Sequence, residues 1–203
     1  MIRGVFRGVF RTSSAGKVER NLVKAIIRSR SRAFLIIGDP GSGKSVSLRH
    51  LFLRTAERAI KSNKKRATVP LYLNLKRFDV HKDDITAEEV HRWVENELKV
   101  GQDRTIHEFV SSHLDAMMER GTLLFLFDSF DEIPAVMDAQ EDEETINLYA
   151  QAFGRFLYAS HRCRGLVSSR PYRSPKTLVG QKMTIRPLSD NRIKEALDRY
   201  LIQ

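Results

Sequence analysis

Gly38-Asp39-Pro40-Gly41-Ser42-Gly43-Lys44-Ser45 is one intact copy of the pattern G-x-x-x-x-G-K-[ST], and its flanks decide how it is read. Ahead of it, Ala33-Phe34-Leu35-Ile36-Ile37 is a short apolar run suited to a buried parallel strand. Behind it, between Val46 and Ile60, the residues Leu48, Leu51, Phe52, Ala56 and Ala59 fall at helical spacing. Between a strand and a helix, glycines let the backbone fold tightly around a polyphosphate. Successive N–H groups and the positive end of the helix then face the negative charge. In that arrangement Gly38 to Val46 form the cradle, Lys44 reaches the β- and γ-phosphates, and the Ser45 hydroxyl binds Mg²⁺. An ordinary Gly-rich turn accounts for the octet alone but not for the strand and helix beside it. The stretch is read as a nucleotide site.

A second stretch supports this. Thr122-Leu123-Leu124-Phe125-Leu126-Phe127-Asp128 runs five large apolar residues straight into an aspartate. A buried strand ending in a carboxylate places that charge beside the phosphate loop, where Mg²⁺ would offset its desolvation. Asp131 and Glu132 follow at the strand's exit and suit a general base or a water-positioning pair. The competing reading is an acidic turn into Ile133-Pro134. A further strand, Gly165 to Ser169, ends in Arg170-Pro171. Ligands bind outside the carboxyl ends of strands in open parallel sheets, so all three charged sites gather at one rim. There Arg170 would donate to the γ-phosphate and stabilise charge that develops in phosphoryl transfer. Its alternative is a surface arginine or a structural ion pair.

Elsewhere strands and helices alternate. A strand is expected from Val69 to Leu75, with Asn74, Lys76 and Arg77 at or just past its carboxyl end. Helices are expected from Thr86, with Glu89 as a capping-box partner, from about Thr105 to Arg120, and from Thr145 to Cys163. A strand near Met183 to Arg186 and a helix from Ser189 close the pattern. Asp138 to Glu144 holds five acids in seven residues and reads as a mobile solvated loop. Trp93, Met117 and Met118 read as core, and the histidines show no metal-ligand spacing. The sum is an α/β, three-layer P-loop NTPase with helices on both faces of a mostly parallel sheet.

Composition bounds the rest. A chain of 203 residues, 41% hydrophobic and 30% charged, can bury one full core. No apolar run reaches the ~20 residues of a membrane span. The single Cys163 excludes an internal disulfide framework and fits a reducing cytoplasm. Of the net charge of +10, residues 1–32 supply +8, from nine Lys/Arg against Glu19. The chain therefore divides into a basic arm or leading helix, 1–32, and a nucleotide-binding domain, 33–203. At helical spacing Ile2, Val5, Phe6, Val9 and Phe10 share one face, and Arg3, Arg7 and Arg11 another. Three readings stand for this arm. It packs on the domain or links upstream, it touches an anionic membrane or nucleic acid, or it is a targeting peptide. From Lys17 to Arg28 the spacing of Val18, Leu22, Ala25 and Ile26 suggests a second helix.

The motifs resemble the NACHT group of STAND-class P-loop ATPases. The likeness is carried by Gly38 to Ser45, by Leu123 to Glu132 with its Asp-Ser-Phe-Asp-Glu ending, by Ser168-Ser169-Arg170-Pro171, and by Arg186-Pro187-Leu188-Ser189 through Leu201. The second is the most specific. Most related ATPases put the catalytic glutamate directly after the Mg²⁺ aspartate; here Ser129 takes that place and the acids move to Asp131 and Glu132. The resemblance implies a five-stranded sheet of the additional-strand type, with the strand of Asp128 not adjacent to that of the phosphate loop. It implies that Asp128 holds Mg²⁺ through water, that Asp131 and Glu132 orient or activate the attacking water, and that Arg170 senses the γ-phosphate. It also implies a slow ATP/ADP switch that self-associates when ATP-bound, serving defence against phage in prokaryotic members and innate immune signalling in animal members. Residues 33–203 carry none of the helical and winged-helix regions that complete the nucleotide clamp of that family. Two alternatives stand beside the switch: a nucleotide-gated interaction module without meaningful hydrolysis, and a nucleic-acid-stimulated ATPase.

Overall fold

The computed structural model describes residues 9–12, 18–19, 22, 25–26, 29–62, 67–139, 142–159 and 162–186. The core is built on β3, Ala33–Ile37, whose five residues are all buried. It pairs in parallel on one side with β6, Arg164–Ser169, and on the other with β7, Gln181–Arg186. On the far side of β6 lie β5, Leu123–Asp128, and β4, Val69–Asn74, again parallel. This is the expected five-stranded parallel sheet. As expected too, β6 separates the phosphate-loop strand from the strand that ends in Asp128.

Alternate residues of these strands feed two cores, as a period of two requires. Phe34, Ile36, Leu124, Leu126 and Leu166 pack with Leu48 and Leu51 of helix α1, Lys44–Ile60. On the other face, Leu35, Ile37, Phe125, Phe127 and Val167 meet α2, Ala87–Lys99, α3, Arg104–Glu119, and α5, Glu143–Ala159. That second core is aromatic. Phe127 meets Phe153 edge-on at 5.0 Å, and Phe125 meets Phe156 edge-on at the same distance. Three layers result, with helices on both faces.

Two expectations are corrected. The five parallel strands stand as expected, but the described part of the basic arm, expected as a helix, adds two antiparallel strands beside β7. β1, Val9–Thr12, runs antiparallel to β7, and β2, Val18–Glu19, runs antiparallel to β1. The helical spacing read over Ile2 to Phe10 therefore gives way to strand in its described part. Val9, Phe10 and Thr12 favour strand, the nearby glycines weaken a helix, and β7 offers an open row of backbone partners. The helix expected from Lys17 to Arg28 fails at its start, where Val18 lies in β2 because it finds ladder partners in β1. Leu22, Ala25 and Ile26 are helical, and Leu22 and Ile26 are buried against the α1 face. The second correction concerns the acidic run. Asp138 closes a short helix α4, Pro134–Asp138, and Glu143 and Glu144 form the first turn of α5, where acids oppose the helix dipole. The helix expected from Ser189 lies outside the described residues.

Candidate nucleotide site

The phosphate loop leaves β3 with Gly38, whose N–H donates to Ser169 O at 3.4 Å. Gly41 and Gly43 hold φ of 73° and 88°, the left-handed region that glycine adopts without strain. Ser42 N–H closes the turn on Asp39 O at 3.1 Å, and Ser47 N–H makes a helical bond to Gly43 O at 2.9 Å. Gly43 caps α1 with no side-chain acceptor, so the first-turn N–H groups have no side-chain cap. A Cβ on Gly38 would stand 2.5 Å from Ser42 Oγ and 3.3 Å from Ile185 O, so a larger residue there would displace the Ser42 hydroxyl and crowd β7. Ser42 Oγ itself is buried and without a hydrogen-bond partner among the described residues. Lys44 arches over the loop and donates to Gly38 O at 2.6 Å and Asp39 O at 3.1 Å. Burial pulls the Lys44 ammonium below its ordinary value; the nearby carboxylates of Asp131, Asp128 and Asp39 raise it, and Arg170 adds to the lowering. The lysine thus lies within electrostatic reach of Asp128, Asp131 and Arg170.

Asp128 ends β5 and is 3% exposed. It shares a face with Leu124 and Leu126, the face on which α1 packs. Both its oxygens are held: Tyr72 donates to Oδ2 at 2.5 Å and Ser168 donates to Oδ1 at 2.5 Å. Ser168 Oγ in turn accepts the Ser129 N–H at 2.9 Å. That relay explains the backbone of Ser129, a non-glycine residue at φ 65° and therefore strained. The turn aims its N–H back at β6 while the chain departs toward the acids. Burial and the bond to Asp128 push the Tyr72 hydroxyl up to about 12, so it stays a donor.

Asp131, Glu132 and Arg170 meet as an ion-pair cluster, the arrangement named above as the alternative for Arg170. Asp131, 2% exposed, accepts the Arg170 backbone N–H on Oδ1 at 3.0 Å and faces Arg170 Nε through Oδ2 at 3.0 Å. Burial pushes its carboxyl up, against the pull of Arg170. Arg170 continues to Glu132 Oε1 at 2.9 Å and to the Tyr172 hydroxyl at 3.0 Å. Glu132 Oε2 meets Lys76 Nζ at 2.7 Å. Burial alone would raise Glu132, but Lys76, Ser129 and Arg170 together hold it below the usual range.

Sequence reasoning missed three contributors. Tyr72 stands in the reading only as a strand residue, Ser168 only as part of the Ser168-Ser169-Arg170-Pro171 motif, and Lys76 only by its place just past a strand's carboxyl end. Each stands on the strand or turn beside an acid, and strand order decides which acid it meets. Asn74 and Arg77 have other tasks. Asn74 accepts the Lys76 N–H at 3.2 Å, and Arg77 pairs with Glu97 at 2.6 Å.

The donor set fits a magnesium nucleotide. Ser42 Oγ is an orphaned buried hydroxyl inside a cradle that a Cβ at residue 38 would obstruct. Ser45 lies on α1 between Lys44 and Arg49, and both feel the Asp128 charge. One hydroxyl and one carboxylate suit Mg²⁺, which completes its shell with waters and substrate phosphates. Among the described residues no group of three or more His, Cys, Asp or Glu is placed to hold a metal ion. Nor is any helix there long and apolar enough to cross a membrane. A search of curated proteins finds no match to the chain. A family model described as the NACHT domain matches residues 32–203. With the loop, the buried strand-end aspartate and the parallel sheet in place, the chain belongs to the NACHT family and is a P-loop nucleotide-binding module of the NTPase kind.

Proposed function

We propose that residues 33–203 form a Mg²⁺-dependent ATP switch that hydrolyses slowly, self-associates when ATP-bound, and serves signal transduction or defence in the cytoplasm. The observation that carries this reading is the gathering of Lys44, Asp128, Asp131, Glu132 and Arg170 at one rim, from three elements that are distant in sequence. The loop from Gly38 to Val46 binds the phosphates through main-chain N–H groups and the α1 N-terminus. Lys44 exchanges two carbonyl partners for phosphate oxygens. Ser45 and Asp128 hold the cation, Asp128 through water. When bound, Mg²⁺ neutralises charge on the β- and γ-phosphate oxygens. Glu132, kept ionised by its cations, orients water at the γ-phosphate with Asp131, while Arg170 reports on that phosphate by moving from carboxylate to phosphate.

Lys44→Ala is expected to abolish stabilisation by ATP and Mg²⁺ in a thermal-shift assay; retained stabilisation would sink the proposal. Asp131→Ala and Glu132→Ala should bind nucleotide and release phosphate more slowly. A second reading is a nucleotide-gated interaction module without meaningful hydrolysis. It draws support from the ion pairs of Glu132 with Arg170 and Lys76, which give this carboxylate a structural task independent of water. Radiolabelled phosphate release over hours, against Lys44→Ala, decides between the two. The nucleic-acid-stimulated ATPase rests on an arm whose first eight residues lie outside the described ones. A turnover unmoved by DNA or RNA would remove it.

A further inference from the structure

We propose that Tyr72 is a positioning residue for Asp128: its hydroxyl fixes the carboxylate in the orientation that receives the nucleotide-bound cation. The inference rests on the reading of Asp128 as the cation-holding acid. β4 carries neither sequence motif, yet its register puts Tyr72 opposite Leu126, two residues before Asp128 on the same face. Two residues of strand rise about 6.6 Å, close to the reach of a tyrosine from Cα to hydroxyl, so the ring spans the gap.

The ring is fixed as well as near. Phe52 of α1 packs edge-on to it with centroids 6.4 Å apart, and Arg49 of α1 places its guanidinium carbon 5.7 Å from the ring centroid. Tyr72 therefore ties three elements together: its own edge strand, the end of β5, and the helix that carries Lys44 and Ser45. Asp128 accepts one hydrogen bond on each oxygen, from Tyr72 and Ser168. An ionised carboxylate offers about four lone-pair sites, so about two remain for water on the ion. Held at both ends, the group cannot turn about its terminal bond. The ion then meets an acceptor already oriented, with no rotational freedom left to lose. A role in packing alone would need the ring but not the hydroxyl, and that difference makes the inference testable.

The test uses the 203-residue chain with ADP, and Mn²⁺ as the probe, followed by electron paramagnetic resonance. Tyr72→Phe keeps the ring and removes the donor. The expected result is Mn²⁺ binding weakened roughly ten-fold, the scale of lost partners behind metal ligands. ADP affinity in EDTA should stay at the wild-type value, while the ligand-free thermal midpoint falls by a few degrees because a buried carboxylate loses one of its two donors. Ser168→Ala, which frees the other oxygen, should weaken Mn²⁺ in the same direction. Wild-type Mn²⁺ affinity in Tyr72→Phe, with the affinity lost in Asp128→Asn, would overturn the role of Tyr72 and leave the proposed function standing. Wild-type affinity in Asp128→Asn would overturn the reading of Asp128 and this inference with it.

Discussion

Glu132 stays ionised although burial opposes it, because Lys76 and Arg170 each face one of its oxygens. Its folded pKa is below the unfolded 4.5, so its contribution to stability is full above that value and is lost as pH falls through the lower folded one. Asp131 has the opposite sign: raised by burial, it favours the folded state below 3.8 and loses that contribution as pH rises through its folded value. Glu132→Gln should therefore destabilise the chain at neutral pH by about 1 kcal/mol, a modest figure because Lys76 is 56% exposed and screened. The gap from wild type should close as the solution is acidified. Urea melts across the acid range measure this, and a gap that widens toward low pH would contradict it. Gly38→Ala tests the loop. Its Cβ meets the short Ser42 side chain at 2.5 Å and Ile185 O at 3.3 Å, so the cradle must shift. Nucleotide affinity should fall by at least about ten-fold, for a stability loss of about 1–3 kcal/mol. Every acid, the lysine and the arginine of this site were legible, because chemistry restricts which residue types stand at a strand end beside a phosphate loop. Tyr72, Ser168 and Lys76 were not. Their roles depend on which strand lies beside β5, and spacing within one segment carries no record of that.

Among the elements, α2 shows how a local signal is kept and altered. Thr86 Oγ1 accepts the Glu89 N–H at 3.1 Å, as the capping box requires, but the Glu89 carboxylate pairs with Arg92. Half of the box is made. Thr86→Ala should cost about 1 kcal/mol in chemical denaturation, the usual value of an N-cap. It should leave ADP affinity unchanged, since α2 packs on the face of the sheet opposite α1. A loss of affinity would mean that the two layers communicate through the sheet. The same locality explains what could be read of the fold. The run from Leu123 to Asp128 announced a strand because both faces of β5 are buried and demand unbroken apolar residues. The α3 cap was missed because Asp103, which accepts the Ile106 N–H at 3.0 Å, stands outside the apolar period that located the helix. The arm misled for a related reason. Ile2, Val5, Phe6, Val9 and Phe10 have the spacing of a helix face, but β7, about 170 residues away, offered ladder bonds that no local period reveals.

For the whole molecule, the consequence lies in that long-range pairing. β1 meets β7 at four positions, from Val9 with Arg186 to Thr12 with Met183, and β7 lies directly against β3, the strand that delivers the phosphate loop. Deleting residues 1–16 removes β1 and leaves β7 as an edge, with Met183 and Ile185 at its centre. Four ladder positions at about 0.5 kcal/mol each amount to about 2 kcal/mol. In a chain of this length that lowers the thermal midpoint by ~4–8 °C. The uncovered edge should also promote pairing between copies, seen as concentration-dependent light scattering at temperatures where the full chain stays monodisperse. Nucleotide affinity should survive, because the loop is tied to β6 through Gly38 and to α1, both untouched by the deletion. An unchanged midpoint would mean that the antiparallel addition contributes nothing to the domain. Binding to anionic vesicles, measured on the same pair of proteins, then separates the remaining readings of the arm. A drop on deletion assigns its arginines to a membrane surface, whereas equal binding with a lowered midpoint removes the membrane reading and assigns the arm a part in extending the sheet beside β7.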